Sequence, residues 1–402
     1  MKKEDRVLAR ILGVESVFEL VIVCFYGFLL LCLPNSYSQL FTLRTKLSVC
    51  GDRMEVQIQQ NSKMQQEQEQ LEEIARLAKP TVSVIGLGGA GSNIVSWIKE
   101  RGMVGGRLIA LNTDANHLAI TKADKRILIG EKTTGGLGCG GYADKGEESF
   151  RESQAAVLNE LEGARIVFLV AGLGGGTGTG ASAALAETLK GKVPLIVGVV
   201  TLPFAVERVR METARRGIKR LREACDTVVV IDNNKLVRVA GDLSFQQGLG
   251  VANELVGVFV KDITETITTA SLINLDFMDL RAITEKRGIS AIGAGYGKGE
   301  ERVEKAVKIA LEGQLLDIND ITKAYGVLIH VSGGEDMTLS EVYRAGELVT
   351  RTISPKSKIV WGARVNPAME GTAHVFVCLT GVESSFLSQQ PTGRKLWSGK
   401  LF

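Results

Sequence analysis

Two glycine-rich segments of the chain have the composition of phosphate-binding loops. The first, GLGGAG at residues 86–91, follows an apolar run of strand length and precedes a helical stretch. The second, GGGTGTG at residues 174–180, occupies the same position after the run RIVFLVAG. Glycine-rich backbone at a helix start presents N–H groups without side-chain bulk, and the helix N-terminus favours negative charge. Both segments therefore predict phosphate binding.

The second segment carries more information than the first. The first matches the dinucleotide fingerprint GxGxxG, a weak signal that a turn without a ligand also satisfies. In contrast, the seven Gly and Thr residues at 174–180 supply many N–H donors and two hydroxyls. A third stretch, GGLGCGG at 135–141, could cover the outermost phosphate, and the P-loop string GxxxxGK[ST] is absent from the sequence. The pattern favours three loops around the phosphates of one nucleotide.

Two acidic residues lie far from these loops in sequence. Asp276 and Asp279 are part of the segment NLDFMD at 274–279. Because Asp276 precedes FMDL, the spacing alone predicts a helix N-cap. Capping is compatible with a catalytic role for the same carboxylates.

Composition excludes several other functions. The 402 residues are 45% hydrophobic and 23% charged, which is ordinary for a globular protein with room for two domains. The six cysteines form no CxxC pair, so reduced thiols are expected, and the three histidines suggest no zinc cluster. With a net charge of +3 and no basic run in the body of the chain, we expect no nucleic-acid partner.

The segments that must position the loops alternate between strand and helix patterns. Nearly continuous apolar runs predict parallel strands buried on both faces, at 81–86, 107–112, 126–130, 165–172, 193–200 and 227–232. Helical stretches are predicted at 92–101, 144–161 and 206–225. This alternation predicts a Rossmann-like α/β sheet, with ligands at the carboxyl ends of its strands.

A long central helix and a smaller α+β C-terminal domain are predicted to follow. Strand patterns occur at 289–295, 325–333, 358–365 and 374–382, with helices at 300–313 and 339–353. The last two strands are close in sequence and are expected to be neighbours. The predicted divisions are an N-terminal extension at 1–79, a nucleotide-binding domain at 80–244, the central helix at 245–270, a C-terminal domain at 271–382 and a flexible tail at 383–402.

The N-terminal extension allows three interpretations. Its apolar run at 20–33 is shorter than the roughly 20 residues of a membrane-spanning helix, and Glu15 and Glu19 precede it. Basic residues upstream give it the form of a signal-peptide core. A membrane anchor, a partly buried extra helix and an upstream segment absent from the mature protein all remain open. The Gln/Glu-rich stretch at 54–79 predicts an exposed amphipathic helix, and Met54 is the favoured start.

The motifs together resemble the tubulin/FtsZ family. GGGTGTG is the signature of that family, and residues 86–93 resemble the GxGGxGxN of FtsZ with Asn93 as its Asn. NTD at 112–114, TLPF at 201–204, DNNKL at 232–236 and NLDFMD at 274–279 follow in family order. The resemblance covers residues 81–382, about three quarters of the chain, and is far closer to FtsZ than to tubulin. The short segment after residue 382 resembles archaeal more than bacterial FtsZ.

The resemblance implies a GTPase that polymerises head to tail in the cytoplasmic ring at the midcell division site. GTP or GDP with Mg²⁺ would be its ligands, and no metal site built from protein side chains is expected. The tail would dock on a membrane-attached division adaptor through a short peptide containing Leu396, Trp397, Leu401 and Phe402.

The nucleotide-contacting positions are also implied by the resemblance. The first two loops would hold the phosphates, the third would sense the γ-phosphate, Glu207 would contact the ribose and Asn233 the guanine. The implied set is Gly88, Gly89, Ala90, Gly91, Ser92, Asn93, Gly138, Cys139, Gly140, Gly141, Gly174, Gly175, Gly176, Thr177, Gly178, Thr179, Gly180, Glu207, Met211, Asn233 and Asn253.

Two of these positions depart from the family pattern. Met211 stands where FtsZ often has an arginine, with Arg208 and Arg210 close by. Asn253 stands where the family has a guanine-selecting aspartate. An amide offers guanine one acceptor oxygen, whereas a carboxylate can accept from both N1–H and N2–H₂. Weaker guanine selectivity is therefore expected.

The resemblance makes Asn274, Asp276 and Asp279 catalytic. In FtsZ this segment reaches into the nucleotide site of the next subunit, where it would orient the attacking water. A site whose halves lie at opposite ends of a subunit produces a head-to-tail filament. Two alternatives remain: a nucleotide-bound structural or regulatory relative with poor turnover, and an NAD-dependent oxidoreductase that uses the first loop and Asp114.

Overall fold

A computed structural model describes residues 81–235, 244–269, 273, 275–284, 288–313, 315, 318 and 320–384. All of them fall in residues 80–402, one of the two units into which the chain divides. The predictions for residues 1–79, for Asn274 and for the tail beyond residue 384 lie outside the described residues. Within the part that the structure describes, no helix is long and apolar enough to cross a membrane.

The N-terminal half is a parallel sheet with helices between its strands. The strand order β3-β2-β1-β4-β5-β6 is that of a Rossmann-like fold. Its elements are β1 Val82–Leu87, α1 Gly88–Glu100, β2 Gly106–Asn112, α2 Ala115–Ile120, β3 Lys125–Leu128, α3 Glu131–Thr134, α4 Ala143–Glu160, β4 Ile166–Gly172, α5 Gly176–Leu189, β5 Leu195–Leu202, α6 Arg208–Ala224 and β6 Thr227–Asp232.

The C-terminal half extends the same sheet to ten strands in the order β3-β2-β1-β4-β5-β6-β7-β10-β8-β9. Its elements are α7 Phe245–Thr268, α8 Phe277–Thr284, β7 Gly288–Lys298, α9 Arg302–Glu312, β8 Gly326–Gly333, α10 Leu339–Thr350, β9 Lys358–Val365 and β10 Thr372–Val382. The predicted fold class is confirmed. Because one sheet runs through both halves, the domain bounds at 244 and 271 stay a prediction.

The predicted pairing of the last two strands is wrong. β9 pairs with β8 in parallel, and β10 lies between β7 and β8, antiparallel to both. The crossover through α10 returns the chain beside β8, as parallel pairing requires. β10 is mostly buried and suits the interior of the sheet, whereas β9 begins with the exposed Lys358 and Ile359 and suits its edge.

Two hydrophobic clusters hold the layers together, one on each face of the sheet. The first packs α4, α5, α6, α9 and α10 against the strands through side chains such as Phe150 and Leu221. The second packs α1, α7 and α8 through side chains such as Ile94 and Val256. Each fully buried large apolar side chain stabilises the fold by about 2 kcal/mol.

Glu265, at 1% exposure, ties the central helix α7 to both halves of the molecule. Its carboxylate accepts from the Val104 N–H at 2.9 Å and from Lys261 at 2.8 Å, and it pairs with Arg364 on β9. Val104 precedes β2 in the N-terminal half. The contacts fix α7 between the halves.

Asp262 follows Lys261 on α7, and its buried carboxylate should destabilise the folded protein at neutral pH. Burial raises its pKa from 3.8 to about 6, against the opposing charges of Lys261 and Arg364. A raised carboxyl pKa gives stability that is present below pH 3.8 and lost as the pH rises through 6. Asp262→Asn should therefore raise the free energy of unfolding at pH 7.5 by up to about 3 kcal/mol. Urea denaturation at pH 7.5 and pH 4.5 measures this.

The gain of Asp262→Asn should shrink to about 1 kcal/mol at pH 4.5, where the native carboxyl is mostly protonated, and should disappear only below pH 3.8. Glu265→Gln, one turn away on α7, is the control with the opposite sign, because it weakens the contacts with Val104 and Arg364 that join α7 to the two halves. Equal stability of Asp262→Asn and the unsubstituted protein at pH 7.5 would contradict the prediction.

A buried arginine joins α9 to the start of α10. Arg302 is 5% exposed, and its guanidinium contacts Asp336 at 2.5 Å and Glu341 at 2.7 Å. Arg302→Met should lower the free energy of unfolding at pH 7 by about 2 kcal/mol, because it leaves two carboxylates without their cation. Thermal or urea unfolding measures the loss. Arg344→Met, which removes a half-exposed partner of Glu347, should leave the unfolding midpoint nearly unchanged.

The same contact predicts a pH dependence. The Arg302 guanidinium holds the pKa of Glu341 at about 2, below its usual 4.5. A lowered carboxyl pKa gives stability that is present above pH 4.5 and lost as the pH falls toward 2. The difference between Arg302→Met and the unsubstituted protein should therefore shrink across this interval. A difference that stays constant with pH would contradict this role.

Candidate nucleotide site

A cavity of about 560 Å³ opens where β1, β4, β5 and β6 end. Its walls come from both glycine loops, the TLPF segment, α6 and the residue after β6. They are Gly88, Gly89, Ala90, Gly172, Leu173, Gly175, Gly176, Thr177, Gly178, Thr201, Leu202, Pro203, Phe204, Glu207, Arg210 and Asn233. The carboxyl ends of parallel strands are the expected ligand position in such a sheet.

Both glycine loops form the first turn of a helix. α1 begins at Gly88, four residues earlier than predicted, and α5 begins at Gly176 within GGGTGTG. The first N–H groups of a helix have no partner within the helix and can bind a phosphate. Gly88 joins the two loops: its φ is +70°, and an added Cβ would lie 2.9 Å from the Gly178 nitrogen.

The glycines of the two loops serve two different purposes. At Gly91 an added Cβ would lie 2.3 Å from the Val170 oxygen, and at Gly180 it would lie 1.9 Å from the Ala143 oxygen. These two are required by packing inside the protein. At Gly89 and Gly175, both on the cavity wall, an added Cβ would meet no atom within 4 Å. Within the described part of the chain, this space is left open.

The third glycine stretch packs beneath the second loop. The Cys139 thiol contacts the hydroxyls of Thr113 at 3.4 Å and of Thr177 at 3.5 Å, and these two hydroxyls are 2.7 Å apart. Gly138, Gly140 and Gly141 all have positive φ. None of residues 138–141 lines the cavity wall, so their predicted contact with the outermost phosphate stays a prediction.

The TLPF end of the cavity carries its charged and amide groups. Glu207 accepts from the Phe204 N–H at 3.0 Å and pairs with Arg210 at 2.6 Å. Asn234 is engaged by its neighbours, because its amide oxygen accepts from the Ala205 N–H and its nitrogen donates to Asp232. The adjacent Asn233 lines the cavity instead.

Two buried polar atoms near the cavity have no hydrogen-bond partner among the residues that the structure describes, the amide oxygen of Asn233 and the hydroxyl of Ser92. A buried acceptor without a partner costs about 1–3 kcal/mol, which a ligand can recover. Asn233 on the wall can accept a hydrogen bond from a purine base, and the open space at Gly89 and Gly175 suits phosphate oxygens. The residues therefore fit a nucleoside polyphosphate.

The structure places the other predicted residues around this cavity without bringing them to its wall. Gly91, Ser92, Asn93, Gly174, Thr179 and Gly180 belong to the two loops but do not line it. Met211 and Asn253 are half-buried and also lie off the wall. Arg210 lines the cavity where Met211 does not, as its position one residue earlier on α6 allows. The walls at Gly172 and Leu173 were not predicted, and only their place after β4 indicates them.

Asp276 and Asp279 form a reciprocal cap at the start of α8. The Asp276 carboxylate accepts from the Asp279 N–H at 2.7 Å, and the Asp279 carboxylate accepts from the Asp276 N–H at 3.1 Å. The cap predicted from spacing is confirmed. Asp276 is exposed and Asp279 half-buried. Between residues 81 and 384, where described, no three His, Cys, Asp or Glu side chains cluster closely enough to hold a metal ion.

These carboxylates lie near the amino ends of the parallel strands, whereas the cavity lies at their carboxyl ends. The guanidinium of Arg165, the residue before β4, lies 5.8 Å from the ring centroid of Phe277, between the two aspartates in sequence. The other end of β4, at Gly172, opens into the cavity. The seven residues of β4 span about 23 Å. One subunit therefore does not bring Asp276 or Asp279 to its own cavity.

Such a fold and cavity are those of the α/β proteins that bind ligands at the carboxyl ends of their strands, with paired glycine loops on the cavity wall. Comparison with known families agrees in detail. The model of the Tubulin/FtsZ family GTPase domain matches residues 81–241, and that of the FtsZ family C-terminal domain matches residues 288–383. The chain belongs to the tubulin/FtsZ family, with the family's GTPase domain in its N-terminal half and an FtsZ-type C-terminal domain.

Individual relatives support the same assignment. Cell division protein FtsZ 2 of Methanocaldococcus jannaschii is 44% identical over 75% of this chain and 80% of its own length. Cell division protein FtsZ 1 of Archaeoglobus fulgidus is 43% identical over 79% of this chain and 85% of its own. A solved structure described as an empty FtsZ dimer of M. jannaschii has a TM-score of 0.75 at 39% identity and covers 82% of this chain and 98% of that chain. The resemblance read from the motifs is confirmed.

Proposed function

We propose that this protein binds and hydrolyses GTP and polymerises head to tail into filaments of the cell-division ring. One observation carries the proposal: the cavity and the Asp276–Asp279 pair lie at opposite ends of the parallel strands. Stacking identical subunits along this direction places the aspartates of one subunit against the cavity of the next. Such a heterologous interface repeats without closing, which gives a filament.

In this proposal the cavity residues divide the nucleotide among them. The N–H groups of the first two loops, with Thr177, hold the phosphates, and the stretch at 138–141 covers the γ-phosphate. Glu207, fixed by the Phe204 N–H and Arg210, accepts from a ribose hydroxyl. The Asn233 amide oxygen accepts from the base. Asn253 has an amide where the family has a carboxylate, and an amide offers guanine only one acceptor oxygen. We therefore expect guanine to be preferred over adenine less strongly than in relatives with an aspartate at this position.

Hydrolysis is completed by the neighbouring subunit. Asp279 and Asp276 accept hydrogen bonds from the attacking water and hold it in line with the γ-phosphate, while the loop amides stabilise charge on the phosphate oxygens. Asn274 belongs to the same proposed set. Mg²⁺ held mainly by the phosphates would supply further charge stabilisation. The reciprocal cap gives the two carboxylates one fixed arrangement.

Neighbouring surfaces are consistent with burial by another subunit. Four large apolar side chains on these segments are more than half exposed: Leu137 lies within the third glycine stretch and Tyr142 directly follows it, while Val206 precedes and Val209 follows Glu207. Met278, between the aspartates, is 60% exposed. Association that covers these side chains would remove apolar surface from water.

We further propose cytoplasmic action at the division site, with the tail at 383–402 docking on a membrane-attached adaptor.

Phosphate release measured against protein concentration tests the proposal. With GTP, turnover per subunit should be negligible at low concentration and rise together with light scattering, because only assembled subunits have complete sites. ATP in place of GTP measures base selectivity. Turnover independent of protein concentration would contradict the shared site. Scattering without turnover would favour the alternative of a structural relative. The oxidoreductase alternative required Asp114 to contact the cofactor. In the structure the Asp114 carboxylate instead accepts from the His117 N–H and caps α2.

A further inference from the structure

Arg165 is an exposed arginine that contacts the catalytic segment from the N-terminal half of the molecule. Its guanidinium lies over the ring of Phe277, with 5.8 Å between the guanidinium carbon and the ring centroid. This separation is within the range of a cation–π contact. Phe277 is the first residue of α8 and directly follows Asp276. The contact is therefore made at the proposed catalytic carboxylates.

The backbone of Arg165 is fixed on both sides. Its N–H donates to the Thr81 carbonyl at 2.9 Å, and its carbonyl accepts from the Leu195 N–H at 3.2 Å. The side chain projects from the start of β4, a strand buried along nearly its whole length. Arg165 is thus a cation on a rigid element, and its stack on Phe277 joins that element to the segment.

The remaining anchors of the segment come from the C-terminal half. Ile273 exchanges two backbone hydrogen bonds with Ala363 of β9, each 3.3 Å long. After the aspartates, Leu280 and Ile283 are buried at 5% and 1% exposure. These anchors hold the two ends of the segment. Between them, Leu275 is buried at 1% exposure just before the aspartates, and the Arg165–Phe277 stack adds a contact from the N-terminal half next to the carboxylates.

We propose that Arg165 is a positioning residue for GTP hydrolysis, which holds Phe277 and so orients Asp276 and Asp279 toward the nucleotide of the adjacent subunit. This inference rests on the proposed function. Rates of such reactions fall steeply when the groups that place the nucleophile are displaced by as little as 1 Å. The subunit's own cavity lies at the far end of β4. Loss of the stack should therefore lower turnover and leave nucleotide binding unchanged.

Arg165→Ala tests the role directly. At saturating GTP and saturating protein, kcat should fall about tenfold, while the KM for GTP, the binding of a fluorescent GTP analogue and the thermal midpoint stay unchanged. Light scattering should show assembly at an unchanged critical concentration. Arg165→Lys keeps a cation that can stack on the ring, and its kcat should be intermediate.

Phe277→Leu and a matched lysine separate positioning from general charge or packing. Phe277→Leu removes the ring and keeps apolar volume, so its kcat should fall as in Arg165→Ala. The double variant should lose no more than either single variant, because both remove one contact. Lys192→Ala is the control: Lys192 is also exposed and lines, with Arg165, a second and separate cavity of about 440 Å³, and its removal should leave kcat unchanged.

Two results would overturn the role of Arg165: an Arg165→Ala kcat within twofold of the unsubstituted protein, or losses that multiply in the double variant. If Arg165→Ala lowers the thermal midpoint, Phe277→Leu decides, and an unchanged kcat there overturns the role. The outcome for Asp279→Ala separates the two levels of inference. Turnover lost in Asp279→Ala and kept in Arg165→Ala contradicts only the positioning role. Turnover kept in both contradicts the shared active site.

Discussion

Asp279→Ala should reduce GTP turnover by at least about a hundredfold while GTP binding stays intact. The reduction reflects loss of a group that orients the attacking water, an effect typically of 10²–10⁴-fold. Binding is spared because Asp279 lies near the start of β4 and the cavity at its other end, and the seven residues of β4 span about 23 Å. Phosphate release at saturating protein and equilibrium binding of a fluorescent GTP analogue measure the two quantities.

Asp279 also caps α8, so the loss of the cap must be separated from the loss of chemistry. Its carboxylate accepts from the Asp276 N–H, and removal of such a cap costs about 1 kcal/mol. Asp279→Asn keeps an acceptor oxygen for that N–H and removes the charge. Turnover should be lost in Asp279→Asn as well, with a thermal midpoint closer to that of the unsubstituted protein. Full turnover in Asp279→Asn would show that Asp279 only caps α8 and has no role in hydrolysis.

Mixing two inactive variants gives the strongest test of a shared site. A variant with a blocked cavity still presents an intact Asp279 to its neighbour, and Asp279→Ala still presents an intact cavity. In a random mixed filament about one junction in four joins an intact cavity to an intact Asp279. Turnover should therefore reappear on mixing. Two variants that stay inactive together, although light scattering shows that they co-assemble, would argue for a site contained in one subunit.

Local pattern predicted much of this fold from the sequence. The strands over 227–232 and 358–365 have the predicted bounds, because continuous apolar runs and β-branched residues identify strands locally. The position of β10 between β7 and β8 could not be predicted in this way, because pairing partners are set by tertiary packing. The starts of α1 and α5 were also missed, since glycine has low helix propensity and indicates a loop.

The candidate site was predictable where it depends on backbone and less so where it depends on side-chain direction. Both glycine loops were predicted as one ligand site, and both line the cavity, because glycine and threonine composition determines what the backbone can offer. That Arg210 and not Met211 reaches the cavity depends on how α6 is rotated against the sheet. Arg165 gave no signal at all, because its contact with Phe277 joins residues more than a hundred positions apart. Spacing along the chain carries no information about such a contact.

Gly89→Ala and Gly175→Ala should weaken nucleotide binding without harming the fold. Both residues line the cavity, and at both an added Cβ meets no protein atom within 4 Å. Gly89 lies inside α1, where alanine is favoured over glycine by up to about 1 kcal/mol. Gly175 has φ −91° and ψ −178°, which alanine adopts freely. If these glycines are required only for packing or turn geometry, neither substitution should change the affinity for GTP.

If the glycines admit phosphate, each methyl group occupies ligand space. We expect affinity for GTP to fall about tenfold per substitution, or about 1.4 kcal/mol, with an equal or higher thermal midpoint without nucleotide. Gly346→Ala is the matched control, a helical glycine in α10 with the same open surroundings, and it should leave affinity unchanged. Gly91→Ala should instead lower the midpoint, because its Cβ would meet the Val170 oxygen. Unchanged GTP affinity in the Gly89→Ala/Gly175→Ala double variant would place the phosphates elsewhere, since both methyl groups would then stand in empty space.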